Sequence, residues 1–287
     1  MTIGPGIGLC HGSLRDVSAA ELVRLAGANG FCSVMLPPVP RASAAEAAGF
    51  RALLEANGIR RVVLDGAMAA LPRCPFAAQM GWTVDQHFEV AERFAVDCFS
   101  VPHYGGDPAT TVAELADALG PFCERAARGG RTVALEFLPG TGIPDLERAV
   151  RILESVGASN LGIALDTWHW ARSRASLADL RALPPGAIAD FQISDRSAAQ
   201  DTLPDSVQWG RLLPGEGVLP LAEIVGIVLA NAPQLTLNAE IFSEARQAQS
   251  PAEAARDIAR ALKQLVGALE AATPSPPSPS SSPSSSP

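Results

Sequence analysis

The sequence predicts a (β/α)8 barrel, formed as one domain by residues 1–272. Eight short β-type runs alternate with segments whose apolar residues recur at helical spacing, which is the pattern of this fold. No G-x-G-x-x-G motif follows the first run, as it would in a doubly wound open sheet that binds a dinucleotide. A chain of 287 residues, 47% of them hydrophobic, is long enough for one such barrel.

Each predicted strand is a short apolar run followed by a helical segment. The runs are 6–10, 31–36, 60–65, 97–103, 131–137, 161–166, 187–194 and 235–240. The helical segments begin near Ser18, Ser43, Thr83, Pro108, Pro144, Leu177, Pro220 and Pro251. The first has an N-cap candidate at Ser18, Glu21 three residues later and Gly30 at its end, which are helix start and stop signals. Residues 273–287 are almost entirely Pro and Ser, so we predict a disordered tail there.

Composition argues against several classes of function. A net charge of −8 and a pI near 5.1 disfavour a nucleic-acid partner bound through phosphates. No run reaches the roughly 18 apolar residues of a membrane span, so no membrane partner is expected. The five cysteines form no C-x-x-C pair and follow no secretory signal, which predicts reduced thiols and a cytoplasmic location. Lys263 is the only lysine and lies far from the motifs below, which argues against Schiff-base and pyridoxal-phosphate chemistry.

Polar side chains stand at the ends of the predicted strands. In a (β/α)8 barrel the carboxyl ends of the strands meet at one face, and catalytic residues lie there. The residues expected at that face are His11, Asp65, His103, Glu136, Asp166, His169, Gln192, Asp195 and Glu240. The remaining histidine, His87, falls at a helix start and is interpreted as a packing or surface residue.

Four of these side chains predict a metal site. Glu136, Asp166, Gln192 and Glu240 come from strands five to eight in succession, so they converge on one side of the barrel mouth. Three carboxylates at close range repel one another and need a cation between them. Oxygen ligands suit a divalent ion such as Mg²⁺ or Mn²⁺, and Co²⁺ is a third candidate. The alternative is a set of unrelated strand-end residues that hydrogen-bond loops.

His169 follows Asp166 by three residues and lies between Trp168 and Trp170. It is too far past the strand to be an obvious fifth ligand, so we expect it to bind a substrate hydroxyl or to move a proton. The other interpretation is a packed histidine. The two tryptophans fit an apolar wall against a sugar ring as well as they fit core packing.

Three further residues are candidates for substrate binding. Arg211, in RLLPGEG, could bind a hydroxyl, carboxylate or phosphate, or could lie on the surface. His11 and His103 are candidates from their position at the barrel mouth alone. No glycine-rich phosphate cradle is evident after strands seven and eight, which favours an unphosphorylated substrate.

The chain resembles the xylose-isomerase-like TIM barrels, a superfamily of sugar isomerases and epimerases. The resemblance covers roughly residues 5–270 and is carried by GLCHGSLRDVSAAELVRLAGANGFCSVML, ALEF, LDTWH, FQISD, RLLPGEG and AEIF. It implies one divalent metal held by Glu136, Asp166, Gln192 and Glu240, with His169 and Arg211 near the substrate. Relatives of this kind often form homodimers.

Gln192 departs from the commonest pattern of that family. Many of its epimerases and isomerases have histidine at this position. Glutamine is similar to the branch that contains 3-dehydroshikimate dehydratases and many sequences called sugar phosphate isomerase/epimerase. An amide oxygen is a competent ligand, so the metal site is kept, and both an isomerase and a dehydratase fit the resemblance.

The predicted chemistry is removal of a proton next to a carbonyl group of a polyhydroxy compound. The metal would act as a Lewis acid that stabilises the enolate, and Glu136 or Glu240 would take the proton. Return of the proton elsewhere gives an isomer or epimer, which is the first hypothesis. Loss of a β-hydroxyl with His169 as acid gives a dehydratase of a cyclic keto-polyol such as 3-dehydroshikimate or an inosose.

Two other classes fit the residues less well. Abasic-site endonucleases share the barrel, but they use histidine-rich metal sets and a basic face for DNA, whereas this chain has four histidines and is acidic. A barrel that binds a ligand without catalysis would not need the complete carboxylate set.

Overall fold

The computed structural model describes residues 5–14, 16–202 and 208–272, and the tail predicted over 273–287 lies outside the described residues. Eight parallel strands close into a barrel in chain order, so the predicted (β/α)8 fold is confirmed. The strands are β1 (Ile7–Cys10), β2 (Ser33–Leu36), β3 (Arg61–Leu64), β4 (Cys98–Pro102), β5 (Thr132–Glu136), β6 (Leu161–Asp166), β7 (Ile188–Ile193) and β8 (Leu237–Ala239).

Twelve helices surround the described part of the barrel. They are α1 (Ala19–Ala28), α2 (Ala44–Ala48), α3 (Phe50–Ala56), α4 (Pro75–Gln79), α5 (Val84–Arg93), α6 (Val112–Arg128), α7 (Leu146–Val156), α8 (Thr167–Arg172), α9 (Leu177–Arg181), α10 (Leu221–Asn231), α11 (Glu244–Gln247) and α12 (Pro251–Ala272). None of the helices in these described ranges is long and apolar enough to cross a membrane.

Capping residues determine where several helices begin. Ser18 accepts a hydrogen bond from the backbone of Glu21, as predicted for α1. The sixth helix begins later than the predicted Pro108, because Thr111 and Glu114 form a reciprocal capping box just before Val112.

The strand register sets which side chains enter the barrel. Side chains alternate between the two faces of a strand, so residues two apart face the same way. Ala134 therefore faces the interior with Glu136, and Ala164 with Asp166; both alanines belong to the interior apolar cluster. Asp166 pairs in register with Gln192, and Gln192 pairs with Asn238. Neighbouring strands thus bring the predicted ligands side by side at one end of the barrel.

A layer of buried polar side chains lies deeper in the barrel, two residues before the predicted ligands on β7 and β8. Arg61 and Asn238 both donate to Oδ1 of Asp190, at 3.3 and 2.8 Å. Gln192 donates from Nε2 to Oδ2 of the same carboxylate at 3.4 Å, and to Ser100 Oγ at 3.4 Å. Asp190 and Asn238 are fully buried, so these bonds supply the partners that buried polar groups require.

Candidate active site

Arg211 and two of the predicted ligands meet at the centre of the barrel mouth. Its Nη1 donates to Asp166 Oδ2 at 2.9 Å and to Glu240 Oε2 at 2.6 Å. The guanidinium is 1% exposed and lies near the rings of Trp168 and Phe242, with its central carbon 5.5 and 4.7 Å from their centroids. Of the two interpretations of Arg211 from sequence, site and surface, the structure places it in the site.

Asp195 holds the loop that carries Arg211. Its carboxylate accepts hydrogen bonds from the backbone N–H groups of Gly215, Gly217 and Leu219, at 3.0 to 3.1 Å. Its own backbone pairs with Leu212 as an isolated β-bridge. A strand-end carboxylate that sequence analysis placed at this face therefore fixes the loop rather than entering the pocket.

Glu136 and His169 form the other half of the site. Nε2 of His169 lies 3.5 Å from Glu136 Oε1 and 3.6 Å from Asp166 Oδ2. These three side chains are buried and bring their donor atoms together as a possible metal-binding group. The first turn of α8 brings His169 back toward the strand ends. The imidazole therefore lies closer to the carboxylates than its position three residues after Asp166 suggested.

Gln192 presents an unpaired buried acceptor. Its side chain is fully buried, and Oε1 has no hydrogen-bond partner among the described residues. The Asp190 carboxylate can only accept when ionised, so the amide nitrogen of Gln192 must face it and the oxygen must point away. A buried orphan oxygen is costly unless something binds it, and a cation would satisfy it.

Charge in the pocket also fits a divalent cation. Burial raises the pKa values of Glu136 and Glu240 well above their ordinary range, and repulsion from neighbouring carboxylates adds to the shift. Arg211 alone does not neutralise Glu136, Asp166 and Glu240. Glu136, Asp166 and His169 bring two carboxylates and an imidazole within 4.8 Å of one another, which is a donor group for a divalent cation. Glu240 and Gln192 stay predicted as further ligands.

A cavity of about 280 Å³ opens above these groups. Its polar wall includes His11, Asp65, Glu136, His169 and Glu240. The upper wall is an aromatic collar, made of Phe76, Trp82, Tyr104, Trp209 and Phe242. Sequence reasoning missed the collar because Phe76 lies in the short helix α4 and the other members lie outside the helices and strands, where no periodic pattern marks a functional residue.

The histidines at the other strand ends have different surroundings. His11 lines the cavity, and its Nε2 lies 3.3 Å from Asp65 Oδ2. His103 does not line it: the ring is fully buried, packs against Gly106 and Gly142, and has Nε2 3.0 Å from the Pro72 carbonyl. The loop after β4 covers the imidazole, so His103 does not face the cavity, and its predicted role in substrate binding stays a prediction.

His87 is a packing residue, one of the two roles expected from sequence. It is 1% exposed, and burial lowers its pKa to about 4.

Comparison with known proteins places the chain in a family. Residues 22–265 match the xylose isomerase-like TIM barrels. The chain belongs to this family. This xylose isomerase-like barrel is 25% identical over 155 residues to 3-dehydroshikimate dehydratase of Pseudomonas putida. That match covers 53% of the chain and 24% of the relative, so it spans about a quarter of the relative's length.

Two solved structures have the same fold as this xylose isomerase-like barrel. The IolI protein, solved with a bound zinc atom, gives a TM-score of 0.79 at 15% identity, over 92% of this chain and 99% of that one. D-psicose 3-epimerase, solved with D-fructose present, gives 0.70 at 15% identity, over 92% and 99%. At these identities the likeness shows the fold alone.

Proposed function

We propose that this protein is a divalent-metal-dependent isomerase or epimerase of a small polyhydroxy carbonyl compound. The observation that carries the proposal is the pair Glu136 and Glu240. Both line one cavity, both are buried, and the pKa of each is raised by burial. A carboxyl group whose pKa lies above its ordinary range holds a proton more readily, which suits a group that takes up and returns a proton.

The two glutamates supply proton transfer from different sides of the cavity. Glu136 ends β5 and Glu240 follows β8, three strands further round the barrel. One carboxylate takes the proton from the carbon next to the carbonyl group, and the other returns a proton to the opposite face. Transfer between faces inverts that carbon and gives an epimer, whereas return to the neighbouring carbon gives an isomer.

Other residues bind and orient the substrate. A cation held by Glu136, Asp166, Gln192 and Glu240 would supply Lewis-acid polarisation of the substrate carbonyl. Burial lowers the pKa of His169 to about 4, so the imidazole is neutral at pH 7 and acts as a hydrogen-bond partner for a hydroxyl group. The aromatic collar restricts access of water to the proton-transfer groups.

A dehydratase of a cyclic keto-polyol is the second candidate. It is favoured by the match over 155 residues to a 3-dehydroshikimate dehydratase. The same glutamate would remove the proton, and a β-hydroxyl would leave with a proton from the other carboxyl group. His169, predicted from sequence as the acid, is neutral at pH 7 and would only hydrogen-bond the leaving oxygen. The aromatic collar would pack against the apolar face of such a ring.

Proton exchange into substrate distinguishes these reactions. The protein is stripped with chelator, restored separately with Mn²⁺, Mg²⁺ or Co²⁺, and incubated in D₂O with keto-sugars, inososes and 3-dehydroshikimate. Proton NMR should show metal-dependent deuterium incorporation beside the carbonyl group together with a new epimer or isomer. A new vinylic signal with loss of water would instead assign the dehydratase reaction.

Matched variants test the role of the glutamates. Glu136→Gln and Glu240→Gln should each lower exchange at least 100-fold, because an amide cannot accept the proton. Glu147→Gln, on the exposed face of α7, is the control and should leave exchange unchanged. Exchange that survives in both site variants would contradict the proposal. A cytoplasmic location, dimerisation and the lack of a nucleic-acid partner stay predictions from the sequence.

A further inference from the structure

We propose that Cys10, His11 and Asp65 form a second metal site, which takes a thiophilic divalent cation such as Zn²⁺. The three donors stand at the ends of β1 and β3, across the cavity from Glu136 on β5. Their ligand atoms all lie within 4.8 Å of one another. The proposal concerns metal binding and does not depend on which reaction the enzyme catalyses.

The distances between these donors match a tetrahedral ion. Nε2 of His11 lies 3.3 Å from Asp65 Oδ2, and Sγ of Cys10 lies 3.8 Å from the same oxygen. Zinc bonds of about 2.0 Å to nitrogen and oxygen and about 2.3 Å to sulfur give tetrahedral edges of about 3.3 Å (N···O) and 3.5 Å (S···O). Two of the three edges therefore lie close to tetrahedral values, and the ligand atoms of Cys10 and His11 lie within 4.8 Å of each other.

Charge explains why a second cation is favourable here. Asp65 is a fourth carboxylate in the pocket and acts electrostatically on both Glu136 and Glu240. Among the described residues that line the cavity, Arg211 is the one arginine, and it already bonds Asp166 and Glu240. One divalent ion on the β5–β8 side leaves Asp65 with the partly exposed His11 and the thiol of Cys10 as its partners.

The donor types distinguish the two sites. The β5–β8 set is mainly oxygen and suits Mg²⁺ or Mn²⁺, whereas one sulfur and one nitrogen select zinc or Co²⁺. Three protein ligands leave the fourth coordination position of a tetrahedral ion open. Because His11 and Asp65 line the cavity, this open position would face the cavity. Glu240 Oε1 lies 3.7 Å from Cys10 Sγ and could connect the sites, as a shared carboxylate does in two-metal centres.

Cobalt titration tests the proposal through a spectrum rather than through activity. Chelator-treated protein is titrated with Co²⁺, and the near-ultraviolet charge-transfer band of a cobalt–thiolate bond is recorded with the binding stoichiometry. Wild-type protein should bind a second equivalent of Co²⁺ that brings this band, with the thiol proton released to solvent. Absence of the band from the wild-type protein at saturation would overturn the proposal, even if the other site binds metal and the enzyme is active.

Variants assign the band to one cysteine. Cys10→Ser should lose the charge-transfer band and one equivalent of bound Co²⁺. Cys32→Ser, at a half-exposed cysteine outside the cavity, should keep the band and both equivalents. Asp166→Asn should lose the other equivalent and keep the band. His11→Ala removes a partly exposed side chain and should also lose the band, which covers the case in which Cys10→Ser does not fold. A band that survives in Cys10→Ser would overturn the assignment.

Discussion

Nη1 of Arg211 lies 2.6 Å from Oε2 of Glu240, in the space where the sequence predicts a metal ion. The same nitrogen bonds Asp166, so one guanidinium holds two predicted ligands together. A divalent cation bound by these same oxygens would displace Arg211 from them. The displaced guanidinium would then be available to a substrate, so metal binding and substrate binding would be coupled.

Replacement of Arg211 should separate stability from metal affinity. Arg211→Met leaves two buried carboxylates without their cation, so the unfolding free energy of metal-free protein should fall by about 3 kcal/mol. Apparent affinity for Mn²⁺ should rise, because no guanidinium competes for Asp166 and Glu240. Thermal unfolding with and without Mn²⁺, and calorimetric titration, measure the two effects. Arg151→Met, on an exposed surface pair, is the control. Weaker Mn²⁺ binding in Arg211→Met would show that Arg211 does not compete with the ion.

Gln192 should be required for metal binding through its oxygen. Gln192→Leu keeps the approximate volume but removes the amide, so affinity for Mn²⁺ should fall at least tenfold. Gln192→His should retain binding, because a neutral imidazole can donate to Asp190 and still offer its other nitrogen. Gln79→Leu, on the exposed side of α4, should have no effect. Unchanged affinity in Gln192→Leu would exclude this side chain as a ligand.

Asp195 should act by positioning Arg211. Asp195→Ala removes the acceptor of three backbone N–H groups in the loop 215–219, each costing about 1 kcal/mol or more if left unpaired. We expect a loss of about 3 kcal/mol in urea unfolding and a fall in kcat of roughly tenfold or more. Asp195→Asn keeps one acceptor oxygen, so its stability and its kcat should lie between those of wild type and Asp195→Ala. A stability loss with unchanged kcat would limit Asp195 to holding the loop.

The loss of stability at acid pH should come in part from the buried His87. Burial lowers its pKa from 6.5 to about 4 in the folded protein. Below pH 6.5 the unfolded chain binds a proton at this residue that the folded chain does not bind until about pH 4, so the unfolding free energy falls as the pH falls through this window. By pH 4 the loss reaches about 3 kcal/mol. The measurement is the unfolding free energy from urea titrations between pH 6.5 and 4. His87→Gln should remove this part of its pH dependence. If the free energies of variant and wild type fall equally with pH, His87 is not the cause of the loss.

The alternation of strands and helices could be predicted because it depends on local sequence patterns. The β6 strand, Leu161–Asp166, has the predicted bounds, whereas β8 is shorter than the predicted run 235–240. Strand ends also identified the polar residues of the barrel mouth, since parallel strands all end at the same face. What sequence could not show is how these residues contact one another.

Asp166 illustrates the limit of sequence reasoning. Its position at a strand end predicts a ligand, but Oδ1 also accepts from the backbone of Trp168 and caps α8, while Oδ2 accepts from Arg211. Arg211 is 45 residues away in the chain, so only tertiary structure brings it there. The orientation of Gln192 likewise depends on Asp190, and the burial of His103 depends on the loop that covers it. These relationships have no local pattern.

The aromatic collar and the two cavity glutamates are held by different kinds of structural element. The glutamates are fixed by strands β5 and β8, whereas Phe76, Trp82, Tyr104, Trp209 and Phe242 lie on or beside the loops above the barrel. The shape of the cavity wall can therefore change by substitution in the collar while the polar residues at the strand ends are kept. For protein engineering, this makes the collar the place to introduce diversity, with the strand ends held constant.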